Sequence, residues 1–334
     1  MAPMNGLWAG LLLILAGGAM QGSFTIPQKF LRGWPWEMSW LLYSIAGMVV
    51  FPWLLVAGVV PQPLTVYAHV GFAPLALAAL FGAGWGIGSV LFGLGVARVG
   101  TALGFAVIIS LTAAVGALVP LVVLHPEQVW TRRGALVGLG LAIVIVGVVL
   151  CSRAGALKEA ALGQQKSGRL ARGLAICIAS GVTSPMMNFS LAFGSPISAE
   201  AARMGANPAN ASIAILAVAI SSGFFLNAGY CVYLLRKNRS WKGLTGGGIA
   251  RTVLMGFLWM FGMFFYGLGA TRLGSLGEVL GWPLFMTVIV LVANLWGMAT
   301  GEWRGAGAAA YRYLAAGNAV MIAAIAVIAI GTRS

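Results

Sequence analysis

Glu278 ends the glycine-rich stretch FYGLGATRLGSLGE, and no further charged residue follows until Glu302. A carboxylate at the head of an uncharged run long enough to cross a bilayer is either solvated at the interface or held within the membrane. A charge at the centre of a span costs about 2.5–3.5 kcal/mol on insertion scales, and intramembrane acids are functional by default. Desolvation favours a protonated carboxyl, so such a group can take up and release a proton as its surroundings change. Gly277 and Gly281 bracket the acid and would let another backbone come close. The competing account is an interfacial pair with Arg272, six residues earlier. Glu127, Glu159, Glu200 and Glu302 fall in loops or at span ends. Glu37, in WPWEMSW, lies near Lys29 and Arg32 in sequence, and an ion pair with them is the simplest expectation. The proton-coupling role is therefore assigned to Glu278.

Two polar stripes and two aromatic stripes could line a binding site. Gln21, Thr25 and Lys29 are spaced by four, which puts them on one helical face. Ser180, Thr183, Ser184 and Asn188 form a second such face. Hydroxyls in membranes commonly bond between helices, whereas the amides of Gln21 and Asn188 each want several partners and suit a polar cavity. Trp85, Ser89 and Phe92 share a face by their i, i+4, i+7 spacing, as do Trp259, Met263 and Tyr266. Tryptophan faces pack on the apolar patches of a ligand while nearby amides meet its polar groups. The alternative is an aromatic belt at the membrane interface, which better suits Trp8, Trp34, Trp36 and Trp303 near span ends. The candidate lining is thus Gln21, Thr25, Trp85, Asn188, Trp259, Tyr266 and Trp282. No catalytic set or metal-ligand spacing accompanies it: the two histidines stand in loops, and the three cysteines (Cys151, Cys177, Cys231) match no metal motif and read as packed thiols. No cofactor is implied beyond the proton as coupling ion.

What must position these groups is a membrane scaffold. The 334-residue chain is 60% hydrophobic and 8% charged, far below the roughly 25% charged residues of a soluble domain. A net charge of +14 reflects cations between apolar runs, better explained by topology and anionic lipid than by nucleic acid. Ten apolar runs of sufficient length fall near 7–28, 37–58, 72–96, 101–123, 134–152, 171–193, 210–235, 250–270, 275–299 and 309–331. The first lacks the basic leader of a signal peptide and reads as a transmembrane helix. Arg132, Arg133, Arg203, Arg272 and Arg333 fall on one side of the bilayer and the remaining Lys and Arg on the other. The positive-inside rule then puts both termini outside the cytoplasm.

GAGWGIGSVLFGLGVARVGT (82–101) reads against GFLWMFGMFFYGLGATRLGS (256–275) at an offset of 174, matching Trp85 to Trp259, Gly88 to Gly262 and Arg98 to Arg272. The first and sixth spans align more weakly at 163, which sets Gly17, Gln21 and Thr25 against Ser180, Ser184 and Asn188. At the offset of 174, Glu278 falls opposite Gly104, so the acid belongs to one half only. Five spans per half, an odd number, enter the membrane in opposite senses. The expectation is an all-α integral membrane protein of ten transmembrane helices in a 5+5 inverted repeat, with halves 1–155 and 156–334. Inverted repeats are the architecture of secondary transporters, with the binding site near mid-membrane.

The run from Pro27 and Lys29 through Trp34, Trp36, Glu37 and Trp40 resembles the opening of the L-rhamnose–proton symporter family, within the drug/metabolite transporter superfamily. So do Trp85-Gly86-Ile87-Gly88, Arg98, Gly205-Ala206-Asn207-Pro208, Asn227, Gly229-Tyr230-Cys231, Phe265-Tyr266, Arg272, Trp282 and Glu302-Trp303. The resemblance runs in order along nearly the whole chain. It implies a proton-coupled symporter of a bacterial inner membrane that imports a neutral monosaccharide, L-rhamnose or a related 6-deoxyhexose. Its partners would be that sugar and the lipid bilayer, with no obligatory protein partner evident. The residues alone leave open a proton-coupled exporter of cationic drugs or metabolites, and an intramembrane enzyme or sensor.

Overall fold

The computed structural model describes residues 4–99, 101–163, 170–241, 244–274 and 277–331. The side chains of a few helical residues, Glu278 among them, lie outside that description, as do Lys166, Arg169, Lys242 and Arg333 of the charge pattern and Gly100 and Ser275 of the repeat. All regular elements among the described residues are helical, and ten segments are long and apolar enough to cross a membrane.

The first crossing is α1 (Met4–Ser23), which passes into a 3-10 turn at Ile26–Phe30. The second is α2 (Trp36–Ile45), a π-turn at Ala46–Val50, and α3 (Phe51–Val59). A short connector, α4 (Pro63–Val70), leads to α5 (Phe72–Val99), α6 (Thr101–Leu124) and α7 (Arg132–Ala161). The sixth crossing is broken into α8 (Leu170–Thr183) and α9 (Met186–Phe193), followed by the short α10 (Ser195–Arg203). The rest are α11 (Ile213–Asn238), α12 (Gly246–Arg272), α13 (Gly277–Ala299) and α14 (Gly307–Gly331). Hydroxyl caps start α7 and α12, where Thr131 and Thr245 accept from the backbone of Gly134 (3.3 Å) and Gly248 (3.2 Å). The ten spans fall where the apolar runs predict them. Two stretches read as connections are partly helical: α7 carries on through Arg153 and Lys158, and 194–209 contains α10.

Prolines shape the bundle. A proline inside a helix has no N–H for the carbonyl four residues earlier, and in lipid that carbonyl needs another donor. Pro52 frees the Met48 carbonyl at the π-turn, and the Ser221 hydroxyl of α11 donates to it at 3.2 Å. Pro120 frees Gly116, whose carbonyl accepts from the Asn188 amide of α9 at 2.9 Å. Pro185, where α8 gives way to α9, frees Gly181, and the Thr112 hydroxyl of α6 reaches it at 3.5 Å. Each of these breaks is therefore matched by a polar side chain on a neighbouring helix.

The helices assemble into two three-helix groups. One packs α1 against α12 and α13, the other α8 against α5 and α6. The α2–α3 crossing leans on α12, α11 leans on α5, and α7 pairs with α14 at one flank. Between the two groups lies a cavity.

Candidate functional site

The cavity has a volume of about 330 Å³ and is lined from both groups, at the low end of the roughly 300–1,000 Å³ of small-molecule sites. Its polar hook is Gln21, near the end of α1. The side chain is 6% exposed, lines the cavity, and its amide has no hydrogen-bond partner among the described residues. A buried amide without a partner costs about 1–3 kcal/mol unless a ligand or water meets it. Thr25, in the turn after α1, also lines the cavity and is exposed.

One wall is a run of aromatic rings. Trp36 stacks on Trp40 (5.0 Å), Trp40 meets Tyr43 (4.9 Å), and Tyr43 sets its edge to Trp259 (6.2 Å). Trp259 in turn stacks on Trp85 at 5.4 Å and 30°. The two tryptophans that align in the sequence thus meet face to face between the groups. Opposite them, Trp282 of α13 donates its indole N–H to the Thr112 carbonyl at 3.0 Å, which fixes the ring against α6. Ser89 and Ser184 add hydroxyls to the lining; that of Ser89 donates to Asn227 at 3.1 Å.

Asn188 and Tyr266 stand behind the wall rather than on it. Both are fully buried. The Tyr266 hydroxyl donates to the Asn188 carbonyl oxygen while the Asn188 amide donates to Gly116. Tyr266 also stacks on Phe285 (4.7 Å) and meets Trp282 (5.5 Å). The pair thus anchors the ring that lines the cavity. Ser180, on the same predicted stripe, donates to the Gly88 carbonyl at 2.9 Å, the interhelical role expected for a hydroxyl.

Glu278 is the second residue of α13, one turn ahead of Trp282 and so about 6 Å along the axis from it. Gly277 lies against the backbone of Ala270 near the end of α12, where any side chain would collide. The start of α13 is thereby pressed onto the end of α12.

Two pairings differ from the sequence expectation. Glu37 does not face Lys29 and Arg32. It is buried and accepts from Asn238 (3.0 Å) and Ser240 at the end of α11. Lys29 instead pairs with Glu302 and donates to Thr300 at 2.9 Å. The cause is local: α1 ends at Ser23, so Lys29 leaves the Gln21 face on a 3-10 turn and swings to the turn after α13.

The family model described as L-rhamnose-proton symport protein matches residues 4–334. The chain belongs to this family. Relatives named L-rhamnose-proton symporter are 29% identical over 339 residues in Escherichia coli O1:K1 and 30% over 341 in Cronobacter sakazakii, each covering 98% of both chains. One from Salmonella paratyphi B is 28% identical over 342 residues, 99% of both chains. L-rhamnose-proton symport proteins are transporters, not enzymes, and their substrate is a small molecule. Ten apolar helices and bacterial relatives make this symport protein a multi-pass inner-membrane protein.

Several groups around this symporter cavity escape a reading of the sequence. Trp40 and Tyr43 follow Trp36 at i+4 and i+7, the same spacing as the recognised stripes, so the signal was present in WEMSWLLY. Thr112 and Ser221 carry no local signal. Their roles follow from prolines on other helices.

Proposed function

We propose that the chain imports L-rhamnose or a related 6-deoxyhexose together with protons by alternating access, with Glu278 as the proton carrier. The observation that carries the sugar reading is the Gln21 amide, which has no hydrogen-bond partner among the described residues, in a cavity of monosaccharide size with an aromatic wall. Rings cover the C–H faces of a sugar, and an amide offers both a donor and an acceptor to adjacent hydroxyls. A cationic drug would need a counter-charge, and the described lining holds no carboxylate. The names of the relatives point the same way.

Alternating access draws support from the pairing of helices. A side chain at Gly262 would meet Gln21, and one at Gly88 would meet Ser184. These contacts are related by the offsets of 174 and 163 found in the sequence. Likewise Gly18 abuts Val288, and Gly181 abuts Leu111. That second relation has an offset of 177 between α6 and α13, pairing Glu278 with Thr101 rather than Gly104. Either register leaves the acid in one half only, as a single coupling site requires. Both termini outside the cytoplasm, the basic side facing in, is the orientation this reading adopts.

The test is uptake in proteoliposomes. Glu278→Gln, which mimics the protonated acid, should abolish accumulation driven by a pH gradient while sugar exchange persists. Undiminished gradient-driven uptake would falsify the proton role. Competition by L-fucose but not by quaternary ammonium compounds is expected; the reverse would return the exporter.

A further inference from the structure

We propose that a second, smaller cavity beside the first is a transit subsite for the same neutral sugar, a proposal that rests on the sugar reading above. It has a volume of about 180 Å³ and lies among α6, α7, α13 and the turn after α13. Ile109 and Ala293 belong to the walls of both cavities, so the two spaces abut at these side chains. A ligand moving along α13 from the aromatic cavity would reach the smaller one past these two side chains.

The wall of the second cavity offers groups that the fold does not use. Asn294 donates to Asn318 at 2.9 Å and to the Cys151 sulfur at 3.4 Å, yet its carbonyl oxygen accepts nothing among the described residues. The Ser152 hydroxyl has no hydrogen bond among them either. The Lys158 ammonium sits 4.9 Å from the centre of the Trp303 ring, and no hydrogen bond among the described residues engages its N–H groups. An acceptor, a hydroxyl and a cluster of donors are thus gathered around one small space, a set suited to several hydroxyls at once. Among the described residues the wall carries both signs: Lys158 stands with Glu159 and Glu302, and Lys29 pairs with Glu302 from the side. A neutral polyol fits such a lining better than an ion of either sign, which would have a like charge beside it on a wall that carries both signs. The volume limits the occupant to about one monosaccharide.

Cys151 lines this cavity, whereas Cys177 and Cys231 are fully buried. Its reaction with a small thiosulfonate therefore reports occupancy, with the other two thiols as internal controls in the intact protein. L-rhamnose should slow modification of Cys151 at least threefold, read by mass spectrometry of the purified chain. Protection should persist in Gln21→Ala, which weakens the central cavity, and should be lost in Lys158→Met and in Ser152→Val, two independent variants. The proposal is overturned if protection disappears in Gln21→Ala but survives in Lys158→Met, since the effect would then arise in the central cavity. It is equally overturned if the wild-type chain binds the sugar, by thermal shift, without protecting Cys151. Absence of any sugar binding by the wild-type chain would instead sink the sugar reading itself, and this subsite with it.

Discussion

Replacing Asn188 by leucine tests the coupling between a proline kink and the cavity wall. Asn188 is fully buried; its amide donates to the Gly116 carbonyl, freed by Pro120, at 2.9 Å, and its oxygen accepts from the Tyr266 hydroxyl. Leucine has a similar shape and no polar atoms, so it removes the donor to the Gly116 carbonyl and an acceptor of the Tyr266 hydroxyl. A buried unsatisfied group costs about 1–3 kcal/mol, which would give about 2–6 kcal/mol for the two. Polar side chains between membrane helices average nearer 0.6 kcal/mol, with a maximum of about 1.7, because the unfolded chain in the membrane also finds partners. The expected loss is therefore about 1–3 kcal/mol. The second half of the test is Pro120→Ala, which restores an N–H four residues after Gly116 and so supplies that carbonyl from within α6. In that background Asn188→Leu should cost about 1 kcal/mol less, since the Gly116 carbonyl no longer depends on the Asn188 amide. The assay is reversible unfolding of the purified protein in mixed micelles, run as a double-mutant cycle. Equal losses in the two backgrounds would refute the assignment of Asn188 to the carbonyl that Pro120 releases.

Three further outcomes are expected. Gln21→Met should leave the unfolding midpoint unchanged or higher, because no described group depends on the amide, while sugar affinity falls about tenfold for a lost hydrogen bond of about 1.4 kcal/mol; an unchanged KM for uptake would contradict it. Trp85→Ala and Trp259→Ala should be coupled by about 0.5–1.5 kcal/mol in stability, because the rings stack at 5.4 Å, and strict additivity in the same unfolding assay would argue against that contact. Lys29→Met should cost less than about 1 kcal/mol, since the side chains of Lys29 and Glu302 are 34% and 44% exposed. Glu37→Leu should cost more, about 1–3 kcal/mol, because it strips the acceptor from Asn238 and Ser240; the reverse order would refute the reading of both pairs.

Composition and run length by themselves determined the class of this protein and the number and positions of its spans. Backbone groups in hydrocarbon need partners, and an apolar run of about 20 residues supplies nearly all of them from within itself as a helix. Helical spacing likewise put Trp85 and Trp259 on equivalent faces, and Gln21 on a face fit for a cavity. The sequence could not say which of these groups would be engaged by neighbours. Asn188 and Gln21 look alike as buried amides, yet Asn188 is consumed by a carbonyl that a proline 68 positions away releases, while Gln21 is left to the cavity. Nor could it foresee that Lys29 would leave its helical face and join Glu302, or that Glu37 would turn to the end of α11. Such partners are chosen by which helices touch, a property of contacts between residues far apart in the chain. Periodicity fixes a side chain's direction from its own helix, and only the packed bundle decides what it meets there.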